Sequence, residues 1–126
     1  MTSKYDDLAF HLRALAHPVR LQILDMLRGG EVCVCHLEMA LGKRQAYISQ
    51  QLIVLREAGL VEARKDGLRV FYRLVNPTLE DLLTATLGPV IGVQCAPIDG
   101  CPCPHCETSH RSKILKEGNN YEHVNR

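Results

Sequence analysis

Val34-Cys-His-Leu-Glu-Met-Ala-Leu-Gly-Lys-Arg-Gln-Ala-Tyr-Ile-Ser-Gln-Gln-Leu-Ile-Val-Leu-Arg-Glu-Ala-Gly59 is the stretch on which the fold turns. It reads as two short helices with a tight joint. The first runs from about Val34 to Leu41 and is stopped by Gly42. The second runs from about Gln45 to Ala58, with Ile48, Leu52 and Leu55 on its inner face and Gly59 as its stop. About three residues separate them, and polar residues occupy the exposed start of the second. That combination is the pattern of a helix-turn-helix.

Downstream, Val61 to Lys65 and Leu68 to Val75 flank Asp66-Gly67, a dipeptide suited to the positive φ angles of a type I′ hairpin turn. In the second strand Leu68, Val70, Tyr72 and Leu74 share one face and Arg69, Phe71 and Arg73 the other. Basic groups would then project from a ribbon anchored by apolar ones, as in a wing. Upstream, Tyr5, Leu8, Ala9, Leu12 and Leu15 mark an amphipathic first helix. His17 serves helix entry, and Pro18 opens a second helix that buries Val19, Ile23, Leu24 and Leu27 before Gly29-Gly30. After Asn76-Pro77, Thr78-Leu-Glu-Asp81 resembles a capping box opening a fifth helix, with Leu82, Leu83 and Leu87 as its buried stripe and Gly88-Pro89 at its end. The fold expected is mostly α with a β-hairpin wing, a winged helix-turn-helix over residues 1–93. Residues 94–126 are rich in Cys, Pro and Gly and then polar, a largely irregular tail ordered by whatever its cysteines bind.

The 126 residues suffice for one core plus that tail, and 46% hydrophobic content suits a globular chain. No apolar run approaches the roughly 18 residues that cross a bilayer, and the first residues lack a signal peptide's apolar core and cleavage site. A cytoplasmic protein with no membrane partner is expected. Its six cysteines are then candidate metal or redox ligands rather than structural disulfides. A net charge of +1 is unevenly spread: residues 43 to 73 carry seven basic and three acidic side chains, while the flanking segments are net negative.

On the second helix of the pair, Gln45, Tyr47, Ser49, Gln50 and Gln51 occupy the turns that would face base edges in a major groove, where glutamine pairs bidentately with adenine. Lys43, Arg44, Arg64, Lys65 and Arg69 would meet phosphates, giving affinity and salt dependence without sequence information. A solvated polar helix face would explain any one of these residues, but helix-turn-helix, wing and basic cluster coincide within 31 residues, 43 to 73. A cysteine-nucleophile enzyme lacks support, because Cys33 and Cys35 have no clear base and no substrate pocket can be argued. The class expected is a DNA-binding regulator and not an enzyme.

In Leu15-Ala-His-Pro-Val-Arg-Leu-Gln-Ile-Leu24, in Ile48-Ser-Gln-Gln-Leu-x-x-Leu-Arg-Glu-Ala-Gly-Leu60 and in the wing through Tyr72-Arg-Leu-Val-Asn-Pro77, the chain resembles the ArsR/SmtB metal-responsive repressors. The resemblance covers about half the chain. It implies a homodimer whose first and last helices pair the subunits. It implies two recognition helices in successive major grooves of an inverted-repeat operator in double-stranded DNA, and an inducer that lowers DNA affinity. Cys33-Val-Cys35 looks like the inducer motif of the arsenite and cadmium/lead branches. The arsenite-type motif usually has a third cysteine one turn on, where this chain has Glu38. Thr78 to Val93 contains no histidine, so the last-helix ligands of the zinc-sensing branch are missing.

Two residues is an awkward helical spacing for Cys33 and Cys35, since it turns side chains by about 200°, so both grip one ion only if the helix start is frayed or deformed. Two small buried hydrophobes are the alternative. Further thiolates would come from the tail, Cys95, Cys101, Cys103 and Cys106, four cysteines in twelve residues, 95 to 106. In one arrangement Cys33 and Cys35 recruit tail cysteines into a single inducer site, in some versions from the partner subunit. In the other the tail alone holds Zn(II) or an iron-sulfur cluster and Cys33 and Cys35 form a separate dithiol. As(III) needs three thiolates, Cd(II) and Pb(II) accept three or four, and structural Zn(II) closes a four-ligand shell. A thiol-redox, persulfide or iron-sulfur signal on the same fold is the alternative to a metal or metalloid inducer. His36 and His105 lie beside the thiols, but a lone histidine is more often a solvated or capping residue.

Overall fold

The computed structural model describes residues 3–90 together with Cys101 and Cys106. The boundary expected at 93/94, and Cys95, Cys103 and His105 with the rest of the tail, lie outside the described residues. Among the described residues, five helices and three strands follow in the order α1 (Lys4–Leu15), α2 (Pro18–Leu27), β1 (Val32–Cys33), α3 (Val34–Leu41), α4 (Gln45–Glu57), β2 (Val61–Asp66), β3 (Arg69–Leu74) and α5 (Pro77–Leu87).

Local chemistry places the helix ends. Ser3 and Asp6 form a reciprocal capping box at the start of α1. At α2, Pro18 fills the first turn, where a missing N–H costs nothing, and Nδ1 of His17 accepts from the Val19 N–H at 3.2 Å. Gly42 ends α3 in the left-handed region at φ +62°, which lets the chain turn at once into α4. One apolar core joins these pieces: Ile23 and Leu24 from α2, Leu37 from α3, Ile48 and Leu52 from α4, and Val61 at the root of β2. All the helix-two and helix-four positions expected inside are buried.

Three expectations need correction. The hairpin turn is Gly67-Leu68, not Asp66-Gly67. Asp66 still pairs with Arg69, and only Gly67 has positive φ, as a type II′ turn requires at its first central residue. Leu68 is therefore fully exposed at the tip instead of anchoring the ribbon. At α5 the cap is Asn76, whose Oδ1 accepts from the Leu79 N–H, with Pro77 as first residue. That shifts the buried stripe to Leu79 and Leu83 and leaves Leu82 and Leu87 exposed. Finally, the sheet has a third strand. β1 pairs antiparallel with β3, Val32 opposite Tyr72 and Cys33 opposite Phe71, giving the order β1-β3-β2. Two residues are too short for any alternation signal in sequence.

Period-two alternation then separates two environments. Val32 and its partner Tyr72 face the main core, whereas Cys33 and Phe71 turn to the other side of the sheet. A second, small cluster forms there from Cys33, Cys101 and Cys106, with Cys35 and Phe71 packed against it. On α1, Tyr5, Leu8, Phe10 and Leu12 are all exposed, so the apolar positions that define the helix as amphipathic are largely uncovered in one chain.

Candidate DNA-facing surface and metal site

Helix α4 is held from behind by Ile48, Leu52 and Leu55, so its first turns present a fixed outer face. Lys43, Arg44, Gln45 and Gln50 are exposed, while Tyr47 and Ser49 are half-buried. Lys43 lies over the Tyr47 ring, 5.9 Å from its centroid. Gln51 is turned inward: its Oε1 accepts from Nε of Arg20 at 3.0 Å, and Arg20 also donates to the Ala14 carbonyl. It braces α4 against α2.

The wing cations divide in the same way. Lys65 is exposed, with no salt bridge among the described residues. Arg64 is engaged by Glu31, its Nε 3.0 Å from Oε2, and by Asp66, and its guanidinium lies 4.7 Å from the Phe71 ring centroid. The Arg64 hydrogen bond, aided by the charges of Arg64 and Arg73, holds the Glu31 carboxyl below its ordinary range, and Glu31 in turn raises Arg64. Arg73 pairs with Glu62 at 2.8 Å. Arg69 is half-buried, with Nη1 3.9 Å from the Cys35 sulfur.

The junction of β1 and α3 resolves the spacing of the two thiols. Cys33 is an extended residue (φ −72°, ψ 144°) that ends the strand and caps the helix, and Cys35 sits in the first helical turn. The backbone changes direction between them, bringing their sulfurs 2.7 Å apart without fraying the helix. Cys33 is buried and Cys35 half-buried, so of the two only Cys33 is the small buried residue that packing alone would ask for. From the tail, Cys101 and Cys106 reach the same junction and are both buried.

The residue that sequence reasoning undervalued is His36. As a whole residue it is the one buried polar or charged residue among the described residues, 1% exposed, with Nδ1 3.1 Å from the Cys106 sulfur and 3.9 Å from the Cys101 sulfur. The ligand atoms of His36, Cys101 and Cys106 all lie within 4.8 Å of one another, a group that could hold a metal ion. Imidazole and thiolate together suit soft and borderline ions such as Zn(II) and Cd(II). A sequence signal existed, a histidine directly after a Cys-x-Cys pair, but only the fold shows that it points inward.

The thiols are close to the DNA-facing elements. A cleft of about 260 Å³ has Cys33, Cys35, Gln45, Ser49, Arg69 and Tyr72 among its walls, and Glu38 lines it too. It opens between the thiol pair, the start of α4 and the wing. Helix α3 packs on both α4 and β3.

A helix-turn-helix braced by a core and followed by a β-hairpin, whose second strand pairs back with the short strand before it, defines a winged-helix DNA-binding protein. Residues 17–63 match the family model described as bacterial regulatory protein, arsR family. A biofilm growth-associated repressor of Agrobacterium fabrum is 40% identical over 97 residues, covering 77% of this chain and 80% of that one. Among solved structures, reduced HlyU from Vibrio cholerae has a TM-score of 0.60 at 36% identity over 65% of this chain and 90% of its own. A homodimeric winged helix-turn-helix DNA-binding domain from Mycobacterium bovis, solved by NMR, has a TM-score of 0.62 at 35% identity over 68% of this chain and 84% of its own. The chain belongs to the arsR family of bacterial regulatory proteins. It is a transcriptional repressor of that family, and the relatives it matches are named as transcriptional regulators or repressors. No helix among the described residues is long and apolar enough to cross a membrane.

Proposed function

We propose that the chain acts as a homodimer that holds an inverted-repeat operator in its metal-free form and releases it when a thiophilic ion, As(III), Cd(II) or Pb(II), binds its cysteine thiolates. The observation that carries this is the convergence of Cys33, Cys35, Cys101 and Cys106 at the β1–α3 junction. Strand β1 is hydrogen-bonded to the wing strand β3, and α3 packs on α4. Ligation at the junction therefore pulls on wing and recognition helix together. Cys95 and Cys103 belong to the same proposed ligand set.

For the DNA contacts we assign Gln45, Tyr47, Ser49 and Gln50 to base edges and Lys43, Arg44 and Lys65 to phosphates. Arg64, Arg69 and Gln51 also belong to the set expected from sequence, and we give them the further task of fixing the wing and α4, supported by their contacts with Glu31, Cys35 and Arg20. The dimer is supported by the uncovered apolar residues of α1 together with Leu82 and Leu87 of α5. These flank a cleft of about 260 Å³ lined by Leu8, Leu12, Leu79 and Leu82. The homodimeric M. bovis relative supports it as well.

Replacing Cys33 and Cys35 by Ser tests the inducer site. The variant should bind operator as the parent does and lose the response to added Cd(II) or arsenite. Loss of DNA binding without metal would make these cysteines structural. A second reading, control by thiol oxidation, is favoured by the 2.7 Å approach of the Cys33 and Cys35 sulfurs and by a relative whose structure was solved in a reduced form. It requires that peroxide, with metals chelated, releases the DNA, and that a thiol reductant restores binding.

A further inference from the structure

We infer that His36 is a direct metal ligand, so that the site is a mixed nitrogen and sulfur set of His36, Cys101, Cys106 and Cys33, of the kind that takes Zn(II) or Cd(II). This rests on the proposal that these thiols hold an ion and specifies its chemistry.

Three observations carry it. The first is burial. An imidazole 1% exposed has to satisfy its polar atoms inside the protein, and Nδ1 of His36 is aimed at two sulfurs. The second is distance. In a tetrahedral site with metal–sulfur bonds of about 2.3 Å and metal–nitrogen bonds of about 2.0 Å, neighbouring ligand atoms lie roughly 3.5 to 3.8 Å apart. The separations from Nδ1 are 3.1 and 3.9 Å, each within a few tenths of an ångström of that range, and the whole trio fits within 4.8 Å, so one ion is within reach of all three donors. The third is the fourth donor. Cys33 and Cys35 both adjoin the cluster that contains Cys101 and Cys106, but Cys33 is the buried one of the pair and Cys35 is half-buried beside Arg69, so Cys33, which lies outside the trio, is the thiol we assign to complete the shell by moving in towards the ion. Four donors close a shell for a d¹⁰ cation.

As(III) is different. It is pyramidal and satisfied by three thiolates, so Cys33, Cys101 and Cys106 serve it without the imidazole. The consequence is a selective effect. In the reduced, chelator-stripped full-length protein, without DNA, His36→Gln should weaken Cd(II) binding by more than the roughly 10–100-fold that losing a hydrogen-bond partner of a ligand costs. Arsenite affinity should stay as it is in the parent. Equal losses for both ions, or none for Cd(II), would overturn the assignment.

His36→Cys supplies the complementary test. It should retain Cd(II), and the thiolate-to-metal charge-transfer absorption of its Co(II) form should rise by about one third, from three thiolates to four. An unchanged band would mean that position 36 is not a ligand. Both measurements are made on free protein. If His36 ligates Cd(II) but DNA affinity ignores the ion, the inducer proposal fails and this one stands. If Cd(II) releases DNA equally well from His36→Gln, the reverse holds.

Discussion

Replacing Lys65 by Ala should reduce the salt dependence of DNA binding by a calculable amount. Each phosphate neutralised by a protein cation contributes about −0.9 to the slope of log K against log salt concentration. Residues 43 to 73 contain seven cations, but the structure removes several from the count. Arg64 is spent on Glu31 and Asp66, Arg73 on Glu62, Arg69 is turned to Cys35, and Arg56 lies in the last turn of α4, away from its reading end. Lys43, Arg44 and Lys65 remain, about six phosphate contacts in a dimer and a slope of about −5. Affinity should then fall roughly a thousandfold between 50 and 200 mM salt. Lys65→Ala, lost from both protomers, should bring the slope down by about 1.8, whereas Arg64→Ala should leave it nearly unchanged. Fluorescence anisotropy with a labelled duplex across a salt series measures both. A parent slope near −10, or an effect of Arg64→Ala as large as that of Lys65→Ala, would refute this division of the cations.

Leu12→Asp should place a charge on the uncovered α1 face, give a monomer by sedimentation, and lower operator affinity by roughly 10²–10⁴, the gain that joining two modules supplies. Leu37→Ala empties a fully buried position between α3 and the core and should destabilise the fold by about 2–5 kcal/mol in urea unfolding. His17→Ala removes the α2 cap and should cost about 1 kcal/mol in the same assay. Glu31 has a lowered pKa when folded, so its contribution is complete above the ordinary value of 4.5 and disappears as pH falls through the lowered one. Glu31→Gln should flatten the stability profile in that acid window and leave it parallel to the parent at neutral pH.

The helix-turn-helix was legible because its signals are local and redundant: a 3.6-residue apolar period, two glycine stops and a joint too short for anything else. Helix α3 was expected at about Val34 to Leu41 and lies at Val34–Leu41. What escaped notice depends on neighbours distant in sequence. Strand β1 exists because β3 offers an edge to two residues, and no pattern inside Val32-Cys33 signals that. Asn76 outcompetes Thr78 as the cap of α5 because Pro77 fixes the first turn one residue earlier. The charge of Arg64 was plain, yet its engagement by Glu31 spans 33 positions. His36 is the sharpest case, since its residue type suggested solvent, and its burial depends on Cys101 and Cys106 reaching back from 65 and 70 residues away.

The central claim is that ion binding at the β1–α3 junction and DNA binding oppose each other, and reciprocal linkage measures this directly. Take a duplex selected from random sequence by the metal-free protein, and determine its affinity with and without saturating Cd(II), then the affinity for Cd(II) with and without the duplex. Both affinities should fall by one common factor, roughly 5- to 150-fold. If Cd(II) binds the thiols and leaves the affinity for DNA unchanged, the ion is structural and the account is wrong.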